Sequence, residues 1–145
     1  MLHHSFKDPF IMDFGASPLI INIDRYANTN KNFRTALWTG TYMQITLMAI
    51  PPKESIGLEQ HGDLDQFIKI ESGKGLAEIG QEKSNLNYKR FVDSDNAIII
   101  PAGFWHNITN IGTTPLKLYS VYAPPTHPFG TVHKTKEEAK ALEAK

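Results

Sequence analysis

Three observations in the sequence predict an all-β sandwich or barrel. Apolar runs of strand length recur between residues 19 and 122, most of them rich in Ile, Leu, Tyr and Phe. Turn residues (Pro, Gly, Asn and Ser) separate these runs at short intervals. Helical character is confined to two short segments, and short strands punctuated in this way mark a sandwich or a barrel.

Taken in order, strands are expected over residues 19–23, 34–38, 43–50, 66–70, 76–79, 97–100 and 116–122. The turns between them include Pro51-Pro52-Lys53, Glu71-Ser72-Gly73-Lys74-Gly75, Pro101-Ala102-Gly103 and the stretch from Asn110 through Gly112 to Pro115. Residues 66–79 are expected to form a hairpin with neighbouring strands, and His106 to open a strand after the Pro101 turn. One helix is expected near residues 24–30. A second opens at Thr135, whose Thr-x-x-Glu spacing to Glu138 is a capping box ahead of a Lys-Glu-Ala tail. There is no internal repeat or linker composition, so the 145 residues read as one domain. Its parts are an amino-terminal extension over 1–32, a barrel over 33–123, and a tail with a short C-terminal helix over 124–145.

Composition excludes several functions. With 41% hydrophobic residues the chain can bury about two thirds of its unfolded surface without staples. Fifteen basic side chains balance fifteen acidic ones, which gives no electrostatic footprint for nucleic acid. The absence of cysteine excludes disulfides, thiolate metal ligands and a thiol nucleophile, leaving histidine, carboxylate and amide oxygen as the strong metal ligands. Residues 1–10 carry Lys7 and Asp8 and no apolar stretch long enough for a signal peptide or membrane span, so a cytoplasmic protein without a membrane partner is expected. Asn107-Ile108-Thr109 matches a glycosylation acceptor, which carries no weight without an export signal.

Two clusters carry chemistry. In the run from Gly57 to Gln66, Glu59 and His61 are two residues apart and share one face of an extended segment. Beyond the Gly62 turn, alternation places Gln66, Ile68 and Ile70 on one face and Asp65, Phe67, Lys69 and Glu71 on the other. Charge belongs on the solvent side, so Gln66 points inward. The second cluster runs from Pro101 to Asn110, where a Pro-x-Gly turn delivers His106 at the head of a strand.

These clusters resemble the two motifs of the cupin family. The second motif, Gly, five residues, Pro-x-Gly, two residues, His, three residues, Asn, matches at Pro101, Gly103, His106 and Asn110, with Asp95 in place of its leading glycine. The first, Gly, five residues, His-x-His, three or four residues, Glu, six residues, Gly, matches at His61 and Gly73. It departs at Lys53 for glycine, Glu59 for histidine and Gln66 for glutamate. The resemblance spans roughly residues 43–123 and implies a double-stranded jelly-roll β-barrel with a metal near its mouth, held here by Glu59, His61, Gln66 and His106. The exchange of Glu59 and Gln66 moves the carboxylate from one vertex to another and keeps the ligand charge. Two nitrogens and two oxygens suit a divalent transition metal such as zinc, iron, manganese, nickel or cobalt. Asp65 is the rival of Gln66, disfavoured by face alternation, and Glu59 could instead be a solvated loop carboxylate.

Among Trp38, Tyr42, Phe67, Trp105, Tyr119 and Tyr122, core or interface roles are favoured over a ligand pocket. Residues 124–133, with His127 and His133, are too rich in proline for regular structure. The simpler reading is a solvated tail with two surface histidines, the alternative a cover over the barrel mouth. Residues 18–23 are expected to add a strand to a second copy in a homodimer, since jelly-roll edges need covering.

The functional classes left are a small metal-dependent enzyme, a binding protein for a small polar metabolite, and a structural dimer without ligand. The lone barrel and the ending Tyr122-Ala123-Pro124-Pro125 are similar to proteins loosely labelled mannose-6-phosphate-isomerase-like. A phosphosugar site needs cations near the metal, and Lys53, Lys69 and Lys74 fall on loops or the outer face.

Overall fold

The computed structural model describes residues 13–143; the readings made for residues 1–10 lie outside them. Asn22 opens the first helix, α1 (Ile23–Thr29), by accepting the Arg25 N–H at 3.0 Å. Strands follow as β1 (Arg34–Thr39), β2 (Gln44–Ile50), β3 (Glu59–Gln60), β4 (Asp65–Ser72), β5 (Gly75–Gly80), β6 (Tyr88–Val92), β7 (Ala97–Ile100), β8 (Trp105–Asn110), β9 (Leu116–Ala123) and β10 (Val132–His133). The chain closes with α2 (Lys136–Glu143), where Thr135 Oγ1 accepts the Glu138 N–H at 3.1 Å as the capping pattern predicts. No helix among the described residues is long and apolar enough to cross a membrane.

The strands form a six-stranded sheet in the order β10-β1-β2-β9-β4-β7 and a four-stranded sheet in the order β3-β8-β5-β6. The expected closed barrel is corrected to two facing sheets of jelly-roll type, each hydrogen-bonded within itself. The hairpin over 66–79 is corrected too. Strand β4 pairs with β7 and β9 in one sheet, whereas β5 pairs with β6 and β8 in the other. The turn between them carries the chain across the core. Gly73 makes this possible: its φ is +95°, and a Cβ there would lie 2.9 Å from the Pro115 carbonyl oxygen.

Residues 19–22 form no strand within the chain, where Leu19 and Ile20 are exposed, and Ile23 already belongs to α1. Asn22 turns the chain into a helix, and Ile21, Ile23 and Tyr26 pack with Ala27 against Leu37 and Leu47 on the outer face of the larger sheet. Strand β6 escaped the sequence reading because four of its five residues are exposed, and two of those are Lys89 and Arg90.

The inward faces change character along the length of the strands. On β2 the inward residues run Gln44, Thr46, Met48, Ile50, and on β9 their register partners run Tyr122, Ser120, Leu118, Leu116. On β4 the order is Gln66, Ile68, Ile70. One end is a sealed hydrocarbon core of Met48, Ile50, Ile68, Ile70, Leu116 and Leu118. The other end is lined by buried polar groups, which must find partners or hold a ligand.

Candidate metal centre

The polar end is assembled from both sheets. Antiparallel pairing of β3 with β8 sets Glu59 directly opposite His106. His61 follows β3, and its carbonyl accepts the Gly103 N–H at 2.8 Å while Gln60 Nε2 donates to the Gly103 carbonyl at 2.9 Å. Gly103 has φ of +90°, so the glycine of the Pro-x-Gly turn ties the two sequence clusters together. Asn110 secures the far end of β8. Its Nδ2 donates to the carbonyls of Ile50 at 2.8 Å and Thr114 at 2.9 Å, and its Oδ1 accepts the Gly112 N–H.

Glu59 Oε1 lies 3.7 Å from His61 Nε2 and 3.8 Å from His106 Nε2. These spacings are too long for hydrogen bonds and short enough for one ion to bridge. Ligand atoms of the three side chains lie within 4.8 Å of one another. His106 is 1% exposed, and neither its two ring nitrogens nor His61 Nε2 has a hydrogen-bond partner. Gln66 is buried on the inward face as expected, and its Oε1 has no hydrogen-bond partner. Nε2 of the same side chain donates to Ser120 Oγ at 3.4 Å. The rival Asp65 is exposed, and its Oδ1 accepts the Ala102 N–H at 2.9 Å.

Electrostatics favour the metal-binding protonation states. Burial works to raise the Glu59 pKa, yet the neighbouring His61 imidazole and the Arg34 charge lead the effects that outweigh it and hold the carboxyl below its usual range. Burial depresses His106, against the opposing pull of Glu59, and keeps the imidazole neutral. Neutral imidazoles and an ionised carboxylate are the forms that bind metal. His61 Nε2, Gln66 Oε1 and His106 Nε2 thus stand without the hydrogen bonds that buried polar atoms require, the Glu59 carboxylate lies between the two imidazoles, and these donor types fit a divalent ion.

Residues 46–122 match the family model Cupin_2, described as a cupin domain. The chain belongs to the cupin family. This cupin is 52% identical over 144 residues to the protein YrkC of Bacillus subtilis (strain 168), covering 98% of this chain and 77% of that one. It is 38% identical over 114 residues to the protein L612 of Acanthamoeba polyphaga mimivirus, covering 78% of this chain and 69% of that one. The crystal structure of BH2720 from Bacillus halodurans superposes with a TM-score of 0.89 at 52% identity, covering 90% of this chain and 99% of that one.

The cupin's carboxy-terminal segment is where the sequence reading needs correction. Residues 124–133 are not a solvated tail: β10 pairs with β1, setting His133 opposite Arg34, and the segment before it crosses the polar mouth. His133 and Arg34 are buried, with His133 Nδ1 3.1 Å from Arg34 Nη1. A series of ring contacts runs from His106 to His61 at 5.8 Å, from His61 to Tyr122 at 5.8 Å, from Tyr122 to His127 at 5.3 Å and from His127 to His133 at 6.5 Å. Of the six aromatics singled out in the sequence, Tyr122 is buried against His61 and Trp105 lines the mouth, whereas Tyr42 and Phe67 are exposed. Arg34 went unremarked because it heads a strand whose other residues carry no charge. Its signal was there nonetheless: a lone cation at the start of an otherwise uncharged strand.

Proposed function

We propose that this cupin holds one divalent transition metal through Glu59, His61, Gln66 and His106 and uses it to bind or act on a small polar metabolite at the polar mouth. The observation that carries the reading is the convergence of His61 Nε2 and His106 Nε2 on one Glu59 oxygen, both nitrogens buried and without hydrogen-bond partners. Two neutral imidazoles, one carboxylate and one amide oxygen suit zinc, iron, manganese, nickel or cobalt. Bound there, the ion supplies Lewis acidity and a fixed point for a ligand oxygen. The protein contributes the rest: β3 and β8 fix Glu59 and His106 in register, Tyr122 packs edge-on against His61, and residues 126–131 line the mouth.

A homodimer and a cytoplasmic location belong to the same reading. Edge strands β6 and β7 carry exposed Phe91 and Ile99, which a second copy would cover. Light scattering tests the dimer. The metal is tested by stripping the protein with chelator, titrating each candidate ion calorimetrically and measuring metal content after dialysis. One equivalent per chain is expected, and no uptake of any of the five ions overturns the proposal.

A further inference from the structure

His127 is held by machinery that the four proposed ligands do not need. Gln44, wholly buried on β2, grips its backbone. Gln44 Oε1 accepts the N–H groups of Thr126 at 3.2 Å and His127 at 2.9 Å, while Nε2 donates to the His127 carbonyl at 2.8 Å. The ring stands edge-on to Tyr122, and its Nε2 is buried without a hydrogen-bond partner. A polar atom left in that state costs about 1–3 kcal/mol unless a group from outside the chain meets it.

That ring lines a cleft of about 840 Å³ whose wall also contains Glu59 and His61. The volume accommodates a small organic ligand. The opposite character is present on the same wall. Leu58, Phe129 and Leu142, three of the large hydrophobic residues left exposed, gather at this cleft, together with Trp105. Apolar side chains collected at a polar mouth point to a ligand with a hydrocarbon portion. Charge decides the other end. A divalent ion held by one carboxylate and neutral donors is net positive, so the group completing its coordination is best an anion.

We propose that the cleft binds a small carboxylate with an apolar body, its carboxylate reaching the metal position and hydrogen-bonding His127 Nε2, its body lying against Phe129 and Leu58. The assignment deepens the proposed metal-binding function and rests on it. Phe129 and His127 are two residues apart on one segment, so a single strap of chain supplies both the polar and the apolar contact.

The test uses the full chain loaded with manganese or cobalt, with phenylacetate, acetate and the neutral phenethyl alcohol as calorimetric probes. Phenylacetate should bind most tightly, and phenethyl alcohol at least about tenfold more weakly. His127→Phe keeps a ring against Tyr122 and should retain the ion while weakening phenylacetate about tenfold or more. Phe129→Ala, at a position 58% exposed, should erase the preference for phenylacetate over acetate and leave acetate unchanged. If the wild type loads no ion, the metal reading and this one fall together. If the ion binds but the three probes bind alike or not at all, or if both variants behave as wild type, the ion stands and the carboxylate site is overturned.

Discussion

Glu59 and His106 are register partners across β3 and β8, with the carboxylate oxygen 3.8 Å from Nε2 of an imidazole that is 1% exposed. The pairing fixes two of the four proposed ligands by sheet register. Replacing His106 with alanine should therefore abolish metal uptake and remove the metal-induced rise in Tm, which follows from binding to the folded state alone. His127→Phe and His133→Gln should still take up the ion. Metal content after dialysis and melting with and without added ion check both outcomes.

Gln66 and Asp65 are adjacent but face opposite ways. Gln66→Ala should weaken metal affinity by about tenfold or more, less than loss of an imidazole or the carboxylate, because it removes a neutral oxygen. Asp65→Ala should leave affinity unchanged and cost about 1 kcal/mol of stability, the value of the bond its side chain accepts from the Ala102 N–H. Calorimetric titration paired with urea unfolding separates the two.

Burial brings the His127 pKa down from 6.5 to about 3, with the nearby Arg34 charge acting in the same direction, and it lowers His106 too. An imidazole depressed in the folded state is neutral there while the unfolded chain takes up the proton. Stability is therefore full above the unfolded value and falls as pH drops below about 6.5, by about 1.4 kcal/mol per pH unit for His127, with His106 adding in the same direction. His127→Phe should flatten that slope. Urea unfolding of the metal-free protein between neutral pH and about pH 5 measures it.

Lys53 has φ of +72° and stands where the family motif has glycine. A side chain in the left-handed region is strained by about 1 kcal/mol. Lys53→Gly should relieve part of it, raising stability by about 0.5 kcal/mol after the entropy of glycine in the unfolded chain is counted. Asp95, at the other departed glycine, has no positive φ, and Asp95→Gly should bring no gain.

Gln44 anchors the residue 126–127 backbone through three hydrogen bonds. Gln44→Leu should cost about 2–4 kcal/mol, since those backbone groups lose their partner together. Amide exchange at Thr126 and His127 should accelerate ahead of exchange in β9.

Period-two alternation and turn chemistry were enough to mark seven of the strands, both helices and the inward face of β4, because each depends only on neighbours in the chain. Local logic also gave the shared face of Glu59 and His61, the inward Gln66 and the strand that His106 enters, while grouping the four as proposed ligands came from the resemblance to the two cupin motifs. What residues 19–23 become was not local. An apolar run satisfies strand and helix entry alike, and Asn22 with the outer face of the larger sheet settled it as a helix entry. Nor was the pairing of β4 and β5 with different sheets, which rests on how closely Gly73 passes Pro115. His127 and His133 read as surface residues because proline-rich sequence forms no regular structure by itself. Hydrogen bonds from residues remote in the chain fold this segment over the mouth: the buried Gln44 holds residues 126–127, the buried Asp13 accepts the Gly130 N–H, and the Ala36 N–H donates to the Thr131 carbonyl.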